Sequence, residues 1–414
     1  MQAMQPDRPD TTHLIHHPYT PPPDFEAPQP GVFKASTVYF PSVAAMRSRE
    51  WKNKSAYTYG LHGTPTTYLL EERLCALEGG QQCVLVPSGL AAIANTALAL
   101  LKAGDEVLIP DNAYGPNKAL AEGELRHWGI THRYYDPMSP ADLAGMFSER
   151  TRLVWLEAPG SVTMEFPDLV ALVRLCKTRG VTCALDNTWG AGLAFSPFDL
   201  LGDGQQGQGT LGVDISVHAL TKYPSGGGDV LMGSIVTRDE TLHLKIKLCH
   251  MRLGLGVGAN DVEAVLRALP SIGLRYAAQD RTARVLARWW QQQAPCVQLL
   301  HPAFADAPGH GHWQALCAPK GDEGLAAGLF SVVLDSRYSQ AQVDAFCDGL
   351  KLFRLGYSWG GPVSLVVPYA LASMRSREHP QLHNGHLVRF SIGLESAEAL
   401  VQDLAQAMHL HLPA

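Results

Sequence analysis

Two stretches decide the fold: Val181-Thr182-Cys183-Ala184-Leu185-Asp186-Asn187-Thr188 and Val213-Asp214-Ile215-Ser216-Val217-His218-Ala219-Leu220-Thr221-Lys222. Each is a short, largely apolar run rich in β-branched residues, with a charged side chain just past its end. Such runs fit strands whose two faces are both covered, as in parallel sheets. Outward from them, Cys83–Val86, Glu106–Ile109, Leu153–Leu156 and Gly233–Thr237 read as further strands. Helices are expected at Thr66–Glu78, stopped by Gly79-Gly80, at Leu90–Lys102, ended by Gly104, up to Trp128, and near Leu169–Thr178. Strands alternating with helices give an α/β fold with a mostly parallel sheet. A long helical region spans about Asp261 to Gln293. Strands at Leu329–Leu334 and Leu387–Ile392, with helices at Ala341–Leu350 and Ala397–Met408, then form a smaller α+β domain. The expected division is an extended arm over 1–60 contacting a neighbouring subunit, a large domain over 61–265 and a C-terminal domain over 266–414. Pro18, Pro21, Pro22, Pro23, Pro28 and Pro30 keep the arm from being helical. Residues 203–210 hold no apolar side chain and read as a surface loop.

Composition narrows the function. Of 414 residues, 46% are hydrophobic and 17% charged, below the usual share of about 25% charged. The chain therefore has a large core. The formal net charge of -6 offers no basic field to nucleic acid or to an anionic membrane. The longest apolar stretch, Val84 to Leu101, is interrupted by Pro87, Ser88, Gly89 and Asn95, so no membrane span is expected. Met1 to Asp10 lacks the apolar core of a signal peptide, and a cytoplasmic location is the expectation. The eight cysteines show no C-x-x-C spacing and read as free thiols, and no H-E-x-x-H occurs. No catalytic metal is expected.

In open parallel sheets, ligands bind outside the carboxyl ends of the strands. Asp186 and Lys222 both fall there. An amine and a carboxylate so placed suit pyridoxal 5'-phosphate: the amine condenses with the aldehyde, and the carboxylate keeps the ring nitrogen protonated. Pro87-Ser88-Gly89-Leu90, between a strand and a helix, frees backbone N–H groups for a phosphate. Tyr114 follows another strand and can stack on the ring. Singly, each feature has an ordinary alternative: solvated strand-end residues, a serine N-cap, a structural tyrosine.

Together and in this order they resemble the Cys/Met-metabolism family of pyridoxal-phosphate enzymes, from about Tyr57 to the C-terminus. The matching stretches include Tyr59-Gly60-Leu61-His62-Gly63, Leu77-Glu78-Gly79-Gly80, Pro87-Ser88-Gly89 and Tyr114-Gly115-Pro116. Further on come Glu157-Ala158-Pro159-Gly160-Ser161, Asp186-Asn187-Thr188-Trp189, Thr221-Lys222-Tyr223, Tyr357-Ser358-Trp359-Gly360-Gly361 and Arg389 to Glu395. The resemblance implies the aspartate aminotransferase-like fold (fold type I) and a homo-oligomer, a tetramer built as a dimer of dimers. It implies Lys222 as the Schiff-base lysine and proton shuttle, Asp186 at the pyridinium nitrogen, and Tyr114 on the ring, assisting the leaving group. Ser88, Gly89, Leu90 and Thr221 would hold the phosphate, Tyr59 would reach the neighbouring subunit's phosphate, and Ser161 would contact the cofactor. Arg389 would bind the substrate α-carboxylate as a bidentate fork, with Ser358, Trp359 and Tyr59 around the substrate. Gly160-Ser161, Tyr114-Gly115-Pro116 and Ser358-Trp359 resemble the β-lyase branch, which implies carbon–sulfur cleavage of cystathionine to homocysteine, pyruvate and ammonia. The alternatives are γ-elimination or γ-replacement chemistry and, in another class, a cofactor-binding regulator, which lacks support from any basic helix-turn-helix extension.

Three positions depart from the family pattern. Leu61 stands where a phosphate-gripping arginine is usual, with His62 as a candidate substitute. Ala219 replaces a usual Ser or Thr, and Pro224 to Asp229 forms an unusual glycine-rich segment after the lysine. The 203–210 loop reads as an insertion. Leu253 to Gly258 does not fit a dinucleotide glycine box and reads as a turn before a helix. Trp289 and Trp290 read as core.

Overall fold

The computed structural model describes residues 12, 28–48, 51, 54, 56–202, 210–371, 374–377 and 382–413. Most of the proposed N-terminal arm up to residue 27, and positions 203–209 of the polar loop, lie outside the described residues.

Seven strands form one sheet: β1 (Gln82–Val86), β2 (Glu106–Pro110), β3 (Thr131–Tyr135), β4 (Thr151–Glu157), β5 (Thr182–Asp186), β6 (Ile215–Ala219) and β7 (Gly233–Thr237), in the order β1-β7-β6-β5-β4-β2-β3. Neighbours from β6 to β3 run parallel, whereas β7 lies antiparallel to both β1 and β6. Period-two side-chain alternation sends successive residues to opposite faces. Cys183 and Leu185 thus enter one core, and Ala184 the other. Both faces are dry, which explains the continuous apolar runs.

The helices start and stop where local chemistry dictates. Helix Pro65–Glu78 begins with a capping box at Thr64 and Thr67 and ends at Gly79 in the left-handed conformation. Helix Leu169–Arg179 is capped by Asp168 and stopped by Gly180. The helical region expected over Asp261–Gln293 is divided: Ala259–Ala268, a 3-10 turn at Leu269–Ser271, then Ile272–Gln291. Pro270 lies in that turn and lacks the N–H needed to continue the helical ladder. The segment Leu253–Gly258 is the approach to the helix at Ala259.

A second sheet, in the order β10-β11-β12-β9-β8, comprises β8 (Cys296–Leu300), β9 (Leu329–Asp335), β10 (Arg354–Leu355), β11 (Leu365–Tyr369) and β12 (Gly385–Ser391). Its two faces serve different cores. Leu329 and Val333 belong with the large sheet's interior, whereas Phe330, Val332 and Leu334 join a separate cluster with Trp290, Phe346 and Phe390. The small sheet is thus seated on the large one, and strand β12 brings Arg389 over the carboxyl edge of the large sheet.

Trp290 is fully buried, with its ring centroid 5.6 Å from Phe390 and 5.9 Å from Phe346. Trp290→Ala is expected to lower stability by about 3–5 kcal/mol through lost burial and an unfilled cavity, read as a fall in the urea midpoint.

Candidate active site

The register of the parallel strands builds the site. Glu157 pairs with Asp186, and Asp186 with Val217, so the ends of β4, β5 and β6 open on one edge. Thr188 ties two of these strands together. Its amide and hydroxyl donate to Asp186 Oδ1 at 3.1 and 2.5 Å, while its hydroxyl oxygen accepts the Ala219 amide at 3.0 Å. Past β6 the chain turns tightly: the Lys222 amide donates to the Ala219 carbonyl and that of Gly226 to the Lys222 carbonyl. Lys222 Nζ lies 3.1 Å from Ser358 Oγ and 5.3 Å from the Trp359 ring centroid.

A cavity of about 400 Å³ opens on this edge. Ser88, Gly89, Leu90, Tyr114, Ser161, Asp186, Thr221 and Lys222 line it from the large-sheet side; Trp359 and Arg389 join them from the C-terminal part of the chain. Ser88 is also an N-cap: its hydroxyl takes the Ala91 amide and its carbonyl the Ala92 amide. The preceding amides, of Gly89 and Leu90, are the orphan donors of that helix start. Glycine is required there, because a Cβ on Gly89 would lie 2.6 Å from the Ala219 Cβ.

Burial dominates the electrostatics. Loss of water, reinforced by the Arg389 guanidinium, pushes the Lys222 amine down to about 8, although Asp186 opposes this. Burial drives the Asp186 carboxyl up against the hydrogen bonds from Thr188. Burial and then the neighbouring Asp186 push Glu157 up to about 8. Arg389 donates to the Ser358 carbonyl at 3.3 Å, and its buried Nε has no partner.

Of the residues singled out from the sequence, Lys222, Asp186, Tyr114, Ser88, Gly89, Leu90, Thr221, Ser161, Trp359 and Arg389 share this cavity. Ser358 reaches it through Lys222 and Arg389. Tyr59 does not line it; its half-exposed ring lies edge-on to His62, 5.8 Å away. His62 turns to Thr58, with Nδ1 2.7 Å from Oγ1. Ser225 donates to the Thr221 carbonyl, so its hydroxyl braces the lysine turn. Glu157, Tyr369 and Met374 line the cavity without a role assigned from sequence. Glu157 had a readable signal, a carboxylate ending a buried strand as Asp186 does. Tyr369 and Met374 had none, since only tertiary packing brings them near.

The residues fit pyridoxal 5'-phosphate. A helix start offers amides to a phosphate, an amine with a depressed pKa faces a buried carboxylate, and an unsatisfied guanidinium awaits a carboxylate. Fold and site together define a pyridoxal-phosphate enzyme of the aspartate aminotransferase-like type. The chain belongs to the Cys/Met metabolism PLP-dependent enzyme family, whose model matches residues 11–409. It is 38% identical over 378 residues to a cystathionine beta-lyase of Bordetella avium, covering 91% of this chain and 90% of that one. It is 37% identical over 378 residues to a putative cystathionine beta-lyase of Rhizobium johnstonii, covering 91% and 89%. A solved cystathionine gamma synthase of Xanthomonas oryzae pv. oryzae superimposes with a TM-score of 0.81 at 28% identity, over 96% of this chain and 97% of that one.

In the cofactor-free protein, reductive alkylation of Lys222 by a small aldehyde should rise with pH around a midpoint near 8, since only the neutral amine reacts. Arg389→Met removes a cation that disfavours the charged lysine, and should move that midpoint up toward 10.5. Peptide mapping of the modified lysine against pH reads both.

Proposed function

We propose that the chain is a carbon–sulfur β-lyase that cleaves cystathionine to homocysteine, pyruvate and ammonia. The observation that carries this reading is the convergence of Lys222, Asp186 and Arg389 on one cavity, in a chain whose relatives named cystathionine beta-lyase match about nine-tenths of its length. Pyridoxal 5'-phosphate, when bound, supplies an aldehyde for the substrate amine and a ring that takes up the electron pair released at Cα. Lys222 would hold the aldehyde and, as a free amine, would take the Cα proton. Its amine, pushed down to about 8, is partly neutral near pH 7 and therefore competent as a base. Asp186 would hold the ring nitrogen, with Thr188 fixing its carboxylate. Ser88, Gly89, Leu90 and Thr221 would bind the phosphate, Tyr114 would pack on the ring and assist the departing sulfur, and Ser161 would contact the cofactor. Arg389 takes the substrate α-carboxylate through a two-pronged contact, with Ser358 and Trp359 beside it.

The working form is a homo-oligomer, a tetramer of two dimers, with Tyr59 completing a neighbour's site. Tyr357, 81% exposed, and Leu231, 71% exposed, line the same cavity and support a covering subunit. An arm over 1–60, a large domain over 61–265 and a C-terminal domain over 266–414 are our division of the chain, and the cytoplasm our location for it; the described part of the arm is not extended throughout, since Val43–Arg47 is helical. No helix among the described residues is long and apolar enough to cross a membrane.

The test is a product assay on cystathionine. Pyruvate with homocysteine is expected; 2-oxobutyrate with cysteine would instead assign γ-cleavage. Lys222→Ala should lose the visible absorbance and lower kcat by about 10³-fold or more; full turnover in that variant refutes the assignment.

A further inference from the structure

We propose that Glu157 is a positioning residue of this site: it anchors Tyr114 and Ser161 in the cavity wall and forms a carboxyl pair with Asp186. The inference rests on the cofactor-binding reading above.

Glu157 is the last residue of β4 and the direct register partner of Asp186, and both line the cavity. Each of its oxygens is committed. Oε2 accepts the Tyr114 amide at 2.8 Å, and Oε1 accepts the Ser161 hydroxyl at 2.5 Å. Tyr114 begins the helix Gly115–Leu120 without a side-chain cap of its own. The backbone from which its ring projects is therefore held from β4. Ser161 is pinned from two further directions. Its amide donates to the Asn112 carbonyl at 2.8 Å, and its carbonyl accepts Arg375 Nη2 at 2.7 Å; Arg375 in turn also donates to Thr163 Oγ1 at 2.8 Å. The Glu157 carboxylate thus joins a hydrogen-bonded wall made of β4, the Pro159–Glu165 turn and the 374–377 segment.

Charge then decides the protonation. The titratable groups facing Glu157 are Asp186 from β5, the Tyr114 phenol, the Tyr135 phenol from β3 and Arg375 from the 374–377 segment. Arg375 spends its described hydrogen bonds on Ser161, Thr163 and the Met374 carbonyl rather than on either carboxylate. Lys222 and His218 face Asp186, and Arg375 faces Glu157; the two adjacent buried carboxyls titrate as a pair. Burial and Asp186 push Glu157 up to about 8. A cationic ring nitrogen, if held by Asp186, would favour the negative charge there and so the proton on Glu157. A neutral Glu157 still accepts from Tyr114 and Ser161.

The experiment uses the cofactor-loaded enzyme and reads spectra rather than turnover. Glu157→Gln keeps the size and the neutral form but cannot ionise. A nearby negative charge favours a protonated chromophore, so removing the one that develops as Glu157 ionises should lower the pH midpoint of the visible band by about 0.5 unit or more. Glu157→Ala removes the anchor as well, and should lower the visible circular dichroism of the bound cofactor by about half and weaken cofactor affinity about tenfold. An unshifted midpoint in Glu157→Gln, or wild-type dichroism and affinity in Glu157→Ala, overturns the proposal. Should Glu157→Ala fail to fold, the Glu157→Gln midpoint alone decides. A wild-type protein without any cofactor band refutes the cofactor reading itself. A normal wild-type band with unaltered Glu157 variants refutes only the role of Glu157.

Discussion

Everything in this molecule that bears on chemistry depends on one electrostatic constraint: a lysine amine and a carboxylate held at neighbouring strand ends, in a cavity that has shed most of its water. Burial alone disfavours both charges. The protein offsets this locally, through the paired Thr188 bonds to Asp186 and the Asp186 charge near Lys222. The result is an amine partly neutral near physiological pH and a carboxylate suited to a cationic ring nitrogen. Neither property belongs to the residues in isolation; both come from where the sheet ends.

The fold maintains that placement with little freedom. Parallel register aligns the ends of β4, β5 and β6, and Gly360, in the left-handed conformation, lets the small-sheet segment approach the lysine turn, where a Cβ would lie 3.0 Å from the Tyr223 amide. The second sheet buries one face in the core of the first, so Arg389 arrives over the cavity on a packed strand rather than a loop. A substrate carboxylate would satisfy the guanidinium, whose buried Nε has no other partner. Specific recognition and the stability of the bound state therefore draw on the same contact.

The legible part of this architecture was the part governed by local rules. Strands buried on both faces announce themselves as apolar runs, and the charged residue after each run marks the ligand edge; Asp186, Lys222 and the Ser88–Leu90 turn were readable on that basis. Strand β3, Thr131-His132-Arg133-Tyr134-Tyr135, escaped because it is the sheet's edge, where alternate residues meet solvent and polar side chains cost little. β11 escaped because it carries Pro368. Tyr369 and Met374 reach the cavity only through the seating of one sheet on the other, which no periodicity encodes. The Leu61 and Ala219 departures were visible, but not their consequence: His62 turns to Thr58, and Ala219 sits close under Gly89, where there is little room for a larger side chain.

The most direct test of the account is to reduce the cofactor-saturated protein with borohydride and locate the modified residue by peptide mass mapping. The account predicts one pyridoxyl group per chain, on Lys222. Attachment to a different lysine, or a protein that retains no cofactor mass after reduction, would contradict it.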